Sequence, residues 1–163
     1  MNRRELMLAE AAIVAAVALV VVAFVVHAYL LQQAAHNASR EPTYLGSLPR
    51  ERITVNGMEY RMLVAGTQSS MSAGLMNTTV DELDDLNVSG MIFVFGKAGI
   101  QCFWMKNTQI PLEQAWVANG TVTSTYNAIP YSTSSVCGYG NDVLEFPRTL
   151  VNVGDTVTAA NQT

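Results

Sequence analysis

The sequence predicts a small, mainly β domain that follows one N-terminal membrane helix, and three observations support this prediction. An uncharged segment of 21 residues lies near the N-terminus, two Asn-Gly dipeptides sit between strand-like segments, and only one short helix is indicated after the apolar segment. No alternation of strands and helices is apparent, so we expect an antiparallel sandwich or a partly open barrel with one or two short helices. A chain of 163 residues has room for one ordinary domain beside an anchor.

The apolar segment covers residues 11–31. As an α-helix it would be about 31 Å long at about 1.5 Å per residue, which matches the hydrocarbon core of a bilayer. Arg3 and Arg4 precede it, so the positive-inside rule predicts a cytoplasmic stub over residues 1–10 and a location outside the cytoplasm for everything after the helix. The expected localisation is therefore the cell membrane, with a single pass.

Two questions about the apolar segment remain open, namely whether it is cleaved and whether it forms a dimer. Ala34, Ala35 and Ala38 could form a signal-peptidase site, although the apolar segment is longer than that of most cleaved signals. Alanines spaced by four residues within the segment could also support a weak homodimer through the membrane helix.

A polar linker is predicted over residues 32–50 and a folded domain over residues 51–163. From residue 32 onward there are seven Lys and Arg residues against eleven Asp and Glu residues, which gives a net charge of −4. Because this part of the chain is acidic and contains no basic run, we expect no nucleic-acid partner.

The first predicted hairpin is ERITVNGMEYRMLVA, with a two-residue turn at Asn56-Gly57. This turn fixes which residues face each other across the two strands. The predicted pairs are Val55 with Met58, Thr54 with Glu59, Ile53 with Tyr60 and Arg52 with Arg61.

Further elements are predicted along the rest of the domain. Asn119-Gly120 indicates a second hairpin between LEQAWVA and TVTSTYNA. Thr79 and Glu82 form a capping-box pattern at the start of a short acidic helix, VDELDDL. The segment GMIFVF is typical of a buried strand, and residues 96–99 are predicted to turn the chain into a second strand, IQCFWMK.

Several short motifs resemble those of the family known as domain of unknown function 192. The hexapeptide FWMKNT at residues 103–108, followed by Ile-Pro-Leu at 110–112 and preceded by GMIFVF, carries most of the resemblance, with support from Gly-Leu-Met at 74–76, Leu-Glu at 144–145 and Gly-Asp at 154–155. The resemblance covers about residues 50–160. It implies a compact, mainly β, jelly-roll-like fold, often exported or membrane-anchored, with no established activity.

The sequence departs from that family's pattern at three places. Ala73 stands where the family often has arginine, Glu113 stands where it usually has aspartate, and the segment 146–154 is short. A ligand site shared by the family could therefore have a different shape here.

The sequence excludes several classes of chemistry. His27 and His36 are the only histidines, and both precede the domain, so a histidine-based triad, general base or metal site is not expected in it. There is no Gly-rich phosphate loop, GxSxG motif or CxxC motif. We expect neither a metal nor a cofactor.

Polar residues near the hexapeptide are candidates for a binding site. Lys106, Asn107 and Thr108 end a predicted strand, and Glu113 and Glu145 could join them to bind a polar ligand or to act in acid–base chemistry. The alternative is a structural Lys–Glu ion pair with polar neighbours.

Trp104 has two interpretations. It could be a platform on which a ligand stacks. It is also predicted to lie in the core, because Ile100, Cys102 and Trp104 fall on one face of their strand.

A long loop and two cysteines complete the set of candidates. Residues 129–142 are predicted to form a functional loop in which Tyr131 and Tyr139 could line a pocket, although a mobile connection is an equal alternative. Cys102 and Cys137 are the only cysteines, and outside the cytoplasm they could form one disulfide or remain free thiols.

The favoured function is a binding module for a small polar ligand, a glycan or an envelope partner. Trp104, Lys106, Glu113 and the loop at 129–142 would form its site. An enzyme that uses Lys106 with Glu113 or Glu145 is an alternative, and so is a scaffold without a small-molecule site.

Overall fold

The computed structural model describes residues 2–38 and 43–159, which belong to two compact units, Met1–Thr43 and Tyr44–Thr163. Residues 39–42 of the predicted linker and residues 160–163 at the end of the predicted domain lie outside the described residues. Each unit is described by itself.

In the first unit, the described residues include one helix, α1, Arg3–Ala38, which contains the predicted membrane segment. Its window Ala15–Gln32 is long and apolar enough to cross a membrane, and no part of this window is buried against protein. Such a helix is compatible with a single-pass anchor and also with a signal sequence.

Within residues 44–159, the second unit contains three short helices and seven strands. The helices are α2 (Tyr44–Ser47), α3 (Gln68–Ala73) and α4 (Val80–Asp85). The strands are β1 (Arg50–Val55), β2 (Met58–Ala65), β3 (Gly90–Phe103), β4 (Leu112–Ala118), β5 (Thr121–Ala128), β6 (Val136–Phe146) and β7 (Val157–Ala159). They form one sheet in the order β5-β4-β6-β3-β2-β1-β7.

The sheet curls so that the start of β5, at one edge, contacts the segment just before β7, at the other edge. Thr121 at the start of β5 forms a bridge with Thr156 just before β7, and the backbone N–H of Val122 donates to the carbonyl of Asp155 over 2.9 Å. The domain is therefore a half-barrel, which confirms the mainly β prediction and corresponds to its partly open barrel form.

One strand pair differs from the prediction of an all-antiparallel sheet. β2 and β3 are parallel, and the chain between them contains α3 and α4, so one strand–helix–strand unit is present after all. α3 was not predicted, because its residues QSSMSA are mostly polar and have no apolar periodicity.

Both predicted Asn-Gly hairpins are confirmed. β1 and β2 pair in the predicted register, from Val55 opposite Met58 to Arg52 opposite Arg61. Asn56 and Gly57 have φ values of +47° and +83°, as a type I′ turn requires. β4 and β5 pair in the same way around Asn119-Gly120.

The predicted turn at residues 96–99 is wrong. β3 runs through it as one strand of 14 residues, and β6 pairs with both parts, with Val94 opposite Asp142 and Gly99 opposite Gly140. The stretch of β3 between these pairs is longer than the matching stretch of β6, so the glycines accommodate a bulge within one long strand rather than a reversal of the chain.

The sheet has a buried cluster on each face. One face is covered by the helices and carries Leu63, Phe93 and Trp116 together with Leu83 of α4. The other face lines the interior of the half-barrel and carries residues such as Phe146. Since side chains alternate along a strand, neighbouring residues of β4 and β6 contribute to different clusters.

Candidate ligand-binding groove

A buried carboxyl group lies on the helix-covered face of the sheet. Glu145 of β6 is 4% exposed and is paired in register with Gln114 of β4, which is 1% exposed. Gln114 Nε2 donates to Glu145 Oε1 over 3.0 Å. No salt bridge to Glu145 occurs within residues 2–38 and 43–159.

Burial determines the ionisation of this group. Desolvation raises the pKa of Glu145 to about 7, and the hydrogen bond from Gln114 opposes this shift. Glu145 can therefore donate or accept a hydrogen bond near neutral pH, depending on its protonation.

Glu145 lines a small cavity with a volume of about 40 Å³. The other walls come from the end of α3, from β3 and from the hexapeptide segment. They are Met71, Ser72, Ala73, Gly74, Leu75, Met76, Phe93, Phe103, Trp104 and Thr108.

A wider depression of about 450 Å³ borders this cavity. The two share Met71, Ser72, Phe93, Phe103 and Trp104. The depression adds Gln68, Phe95, Gln101 and Cys102 to the walls. We call the cavity and the depression together the Glu145 groove.

The end of α3 forms one wall of the groove, and its position depends on local capping. Thr67 and Ser70 form a capping box at the start of the helix, and Gly74 ends it with φ +49°. A Cβ atom at Gly74 would lie 3.3 Å from Phe93 Cζ, so glycine permits both the turn and the close approach of the helix to the groove.

Aromatic rings make the opposite wall rigid. The Phe103 ring packs edge-on against Phe93 with a centroid distance of 4.8 Å and against the buried Trp116 at 6.2 Å. Trp116 is itself held by a hydrogen bond from its Nε1 to the carbonyl of Gln101 over 2.8 Å. The wall is therefore anchored in the core.

Trp104 lies at the surface, and its predicted place in the core is wrong. It is 47% exposed and Ile100 is 67% exposed, and Cys102 on the same face is exposed as well. This part of β3 extends beyond the barrel core, so a shared strand face does not imply burial. Lys106 Nζ lies 5.2 Å from the centroid of the Trp104 ring, which is a cation–π contact.

Glu113 does not join the predicted polar cluster. It is 3% exposed and lies among the residues of the barrel interior, opposite Phe146, whereas its neighbour Gln114 lies on the helix-covered face. Glu113 Oε2 accepts hydrogen bonds from the backbone N–H groups of Leu150 and Val151 over 2.6 Å and 3.1 Å. Its role in the structure is to hold the segment after β6.

Two further residues of the hexapeptide have different environments. Thr108 is buried and lines the cavity, and its carbonyl accepts a hydrogen bond from the N–H of Tyr131 over 3.0 Å. Asn107 is exposed with φ +57°, and its carbonyl accepts from the N–H of Asn77 over 2.7 Å. The Asn107 side chain is not among the groove walls.

The predicted functional loop is shorter than expected. β6 begins at Val136, so only residues 129–135 connect it to β5. Tyr131 and Tyr139 are 62% and 51% exposed, and neither lines the Glu145 groove.

The two cysteines are joined by a disulfide in the structure. Cys102 and Cys137 lie directly opposite each other on β3 and β6, with their Cα atoms 4.0 Å apart. The bond borders the groove because Cys102 lies on its wall.

The structure thus brings together Trp104, Thr108 and Glu145, with Lys106 beside Trp104. Sequence reasoning pointed to Ala73 of α3 only through the family resemblance, and it missed Met71, Ser72 and the partner Gln114. A signal for Gln114 was available, because strict alternation places it between Leu112 and Trp116 on one buried face. A buried glutamine normally needs a polar partner.

Comparison with known proteins places this domain in a family. The model of DUF192, described as an uncharacterized ACR, matches residues 51–158. The chain belongs to this family. No curated protein matches the chain.

Two solved structures of similar proteins match more than two thirds of this chain. One is a candidate transcription regulator from Sinorhizobium meliloti 1021, with 27% sequence identity and a TM-score of 0.58 over 70% of this chain and 96% of that chain. The other is a protein of unknown function from Novosphingobium aromaticivorans DSM 12444, with 29% identity and a TM-score of 0.59 over 74% of this chain and 94% of that chain.

Proposed function

We propose that this chain is a membrane-anchored DUF192 protein whose domain lies outside the cytoplasm and binds a small ligand in the Glu145 groove. The observation that most strongly supports ligand binding is the buried carboxyl group of Glu145, which lines the groove. It accepts a hydrogen bond from the Gln114 amide and has no cationic partner in the described part of the chain.

Such a carboxyl group is costly for the fold. An ionised group that is removed from water without a cationic partner destabilises the folded state, and an apolar residue or a glutamine would avoid this cost. Perturbed ionisable groups of this kind cluster at functional sites. The position of Glu145 in an accessible groove is therefore better explained by a ligand than by stability.

The volumes of the two parts of the groove suggest the shape of the ligand. The cavity at Glu145, about 40 Å³, accommodates a group of about one or two heavy atoms, such as an amine or a hydroxyl. The depression beside it, about 450 Å³, is within the range of small-molecule sites. A hydrogen-bond donor group would enter the cavity while a larger body lies against the aromatic wall.

The rim of the groove favours a ligand that is flat and partly polar. Trp104 is 47% exposed, and Lys106, whose Nζ lies over the Trp104 ring, adds hydrogen-bond donors to the rim. An amino sugar combines an amine, hydroxyl groups and an apolar ring face, so it is the ligand type that we favour among small polar molecules and glycans.

An acid–base enzyme is less well supported. Its proposed pair of Lys106 with Glu113 or Glu145 is not formed in the described part of the chain, because Lys106 packs on Trp104 and Glu113 lies in the barrel interior. A scaffold without a small-molecule site would leave the cost of burying Glu145 unexplained.

The proposal is tested with the full chain in maltoside micelles by thermal unfolding, followed by tryptophan fluorescence. Both tryptophans, Trp104 and Trp116, belong to the domain, so the signal reports on it alone. The probes are glucosamine, which carries the amine, and glucose, which does not. We expect glucosamine to raise the Tm of the parent protein and of an Asp81→Asn control, since Asp81 is exposed on α4.

Glucosamine should produce no shift in the Tm of Glu145→Gln and a reduced shift in the Tm of Trp104→Ala. Equal shifts in the parent and in Glu145→Gln would show that the probe does not use the groove. If glucosamine does not shift the Tm of any of the proteins, the scaffold alternative is favoured instead.

A further inference from the structure

A second cavity lies on the polar part of the β1–β2 hairpin, away from the Glu145 groove. It has a volume of about 390 Å³ and is lined by Arg52 and Arg61 of the hairpin, by the segment after α4, and by Arg148 after β6. We call it the arginine cavity. It shares none of its lining residues with the Glu145 groove.

The concentration of arginines is unusual for this domain. Residues 43–159 contain six basic residues and ten acidic ones, a net charge of −4. The six are Arg50, Arg52, Arg61, Lys97, Lys106 and Arg148. Half of them line one cavity, so its local charge is opposite to that of the domain.

The acidic neighbours only partly neutralise these arginines. Glu59 Oε1 lies 3.5 Å from Arg52 Nε, and Asp84 is the other carboxylate that lines the cavity. Three arginines against two carboxylates leave a charge of +1. Neither Arg61 nor Arg148 has a salt bridge within residues 2–38 and 43–159.

The arginines also face each other in a way that costs stability. Arg52 and Arg61 are direct cross-strand partners, and like charges in this position repel. An anion between them would replace this repulsion by attraction. Ser89 also lines the cavity, and a serine hydroxyl is a neutral hydrogen-bond donor that an anion can use.

From this arrangement we propose that the arginine cavity binds a phosphate group, either as free phosphate or as a phosphate ester. Guanidinium groups donate paired hydrogen bonds that match phosphate oxygens, and a tetrahedral anion can engage arginines from more than one side. Since the two cavities share no residue, this proposal is independent of the ligand in the Glu145 groove.

The test is calorimetric titration of the full chain in maltoside micelles with inorganic phosphate, with acetate as a comparison anion. The variants are Arg61→Gln and Arg148→Gln. Lys97→Gln is the matched control, because it removes one exposed positive charge outside the cavity. We expect each arginine variant to bind phosphate about tenfold more weakly than the parent and the control to be unchanged.

The proposal is overturned if the parent shows no saturable binding of phosphate, if the arginine variants bind like the parent, or if acetate binds as tightly as phosphate. Tryptophan fluorescence checks that all variants are folded. A titration with short-chain phosphatidic acid identifies the source of the group. Tighter binding than that of phosphate supports a lipid headgroup, and equal or weaker binding supports a free phosphate.

Discussion

At the scale of single residues, Glu113 and Glu145 show that one residue type can occur in two different buried environments. Both are buried. The Glu113 carboxylate accepts hydrogen bonds from two backbone N–H groups, whereas Glu145 accepts one from the side-chain amide of Gln114. Glu113 therefore satisfies two backbone donors that folding removes from water. Glu145 lines a groove that a ligand could enter. The sequence could suggest both glutamates as candidates, but not their environments, because these are formed by segments distant in sequence, residues 150 and 151 for Glu113 and the end of α3 for Glu145.

The raised pKa of Glu145 predicts how stability depends on pH. The folded protein holds the proton up to about pH 7, whereas the unfolded chain loses it near the ordinary value of 4.5. The stabilisation from protonation is therefore complete below about pH 4.5 and is lost as the pH rises to about 7. It corresponds to about 3 kcal/mol, taken as an order of magnitude. Asp142, whose pKa is also raised by burial and by Glu51, acts in the same direction.

At the scale of elements, local signals predicted structure well. The Asn-Gly turns determine both hairpins, and the box of Thr79 and Glu82 forms at the start of α4 as predicted, with the Glu82 N–H donating to Thr79 Oγ1 over 3.2 Å. These features depend on residues that are close in sequence. Their geometry is set by backbone conformation and capping rather than by distant contacts.

Elements that depend on distant contacts were not predicted. β3 remains one strand through its glycines because β6 pairs with both of its parts, and α3 forms on the sheet although its sequence has no apolar face. The groove is built from these same two elements, so its walls could not be derived from the sequence. Of its residues, Trp104, Thr108 and Glu145 were predicted as candidates.

The disulfide between β3 and β6 gives a prediction at this scale. The cysteines are 35 residues apart. The chain-entropy model gives a stabilisation of about 3 to 4 kcal/mol for such a loop. We expect the double variant Cys102→Ala, Cys137→Ala to lose roughly this amount in denaturant unfolding.

The state of the cysteines is checked by the intact mass of the alkylated parent protein before and after reduction. Alkylation of two thiols only after reduction is expected. Two alkylated thiols without reductant would contradict the bond.

At the scale of the whole molecule, the helix α1 and the DUF192 domain belong to two compact units with different surfaces. The helix presents an apolar surface that is unsuited to water, and the domain has its own buried clusters on both faces of its sheet. We therefore expect the full chain to sediment with membranes after an alkaline wash and a chain that begins at Tyr44 to remain in solution.

The orientation of the chain is tested by adding protease to intact spheroplasts. Arg3 and Arg4 favour a cytoplasmic N-terminus, so the domain after the helix is expected outside the cytoplasm. There the added protease reaches it, and we expect digestion. Protection of the domain would place it in the cytoplasm. Loss of the helix from the mature protein, seen by mass, would indicate a cleaved signal instead.

Glu145 is central to the proposed function, which holds that its carboxyl group serves a ligand rather than the stability of the fold. The most direct test compares the free energy of unfolding of Glu145→Gln with that of the parent at pH 5 and at pH 8, by tryptophan fluorescence in urea. The amide that this substitution introduces can still accept a hydrogen bond from Gln114 but carries no charge, and the contribution of Asp142 is common to both proteins.

We predict stabilities that agree within about 1 kcal/mol at pH 5 and a variant that is more stable by about 3 kcal/mol at pH 8. The difference arises because only the parent must bury an ionised carboxylate at the higher pH. A variant that is less stable than the parent at both pH values would show that the carboxyl group supports the fold, and it would contradict a role for Glu145 in binding.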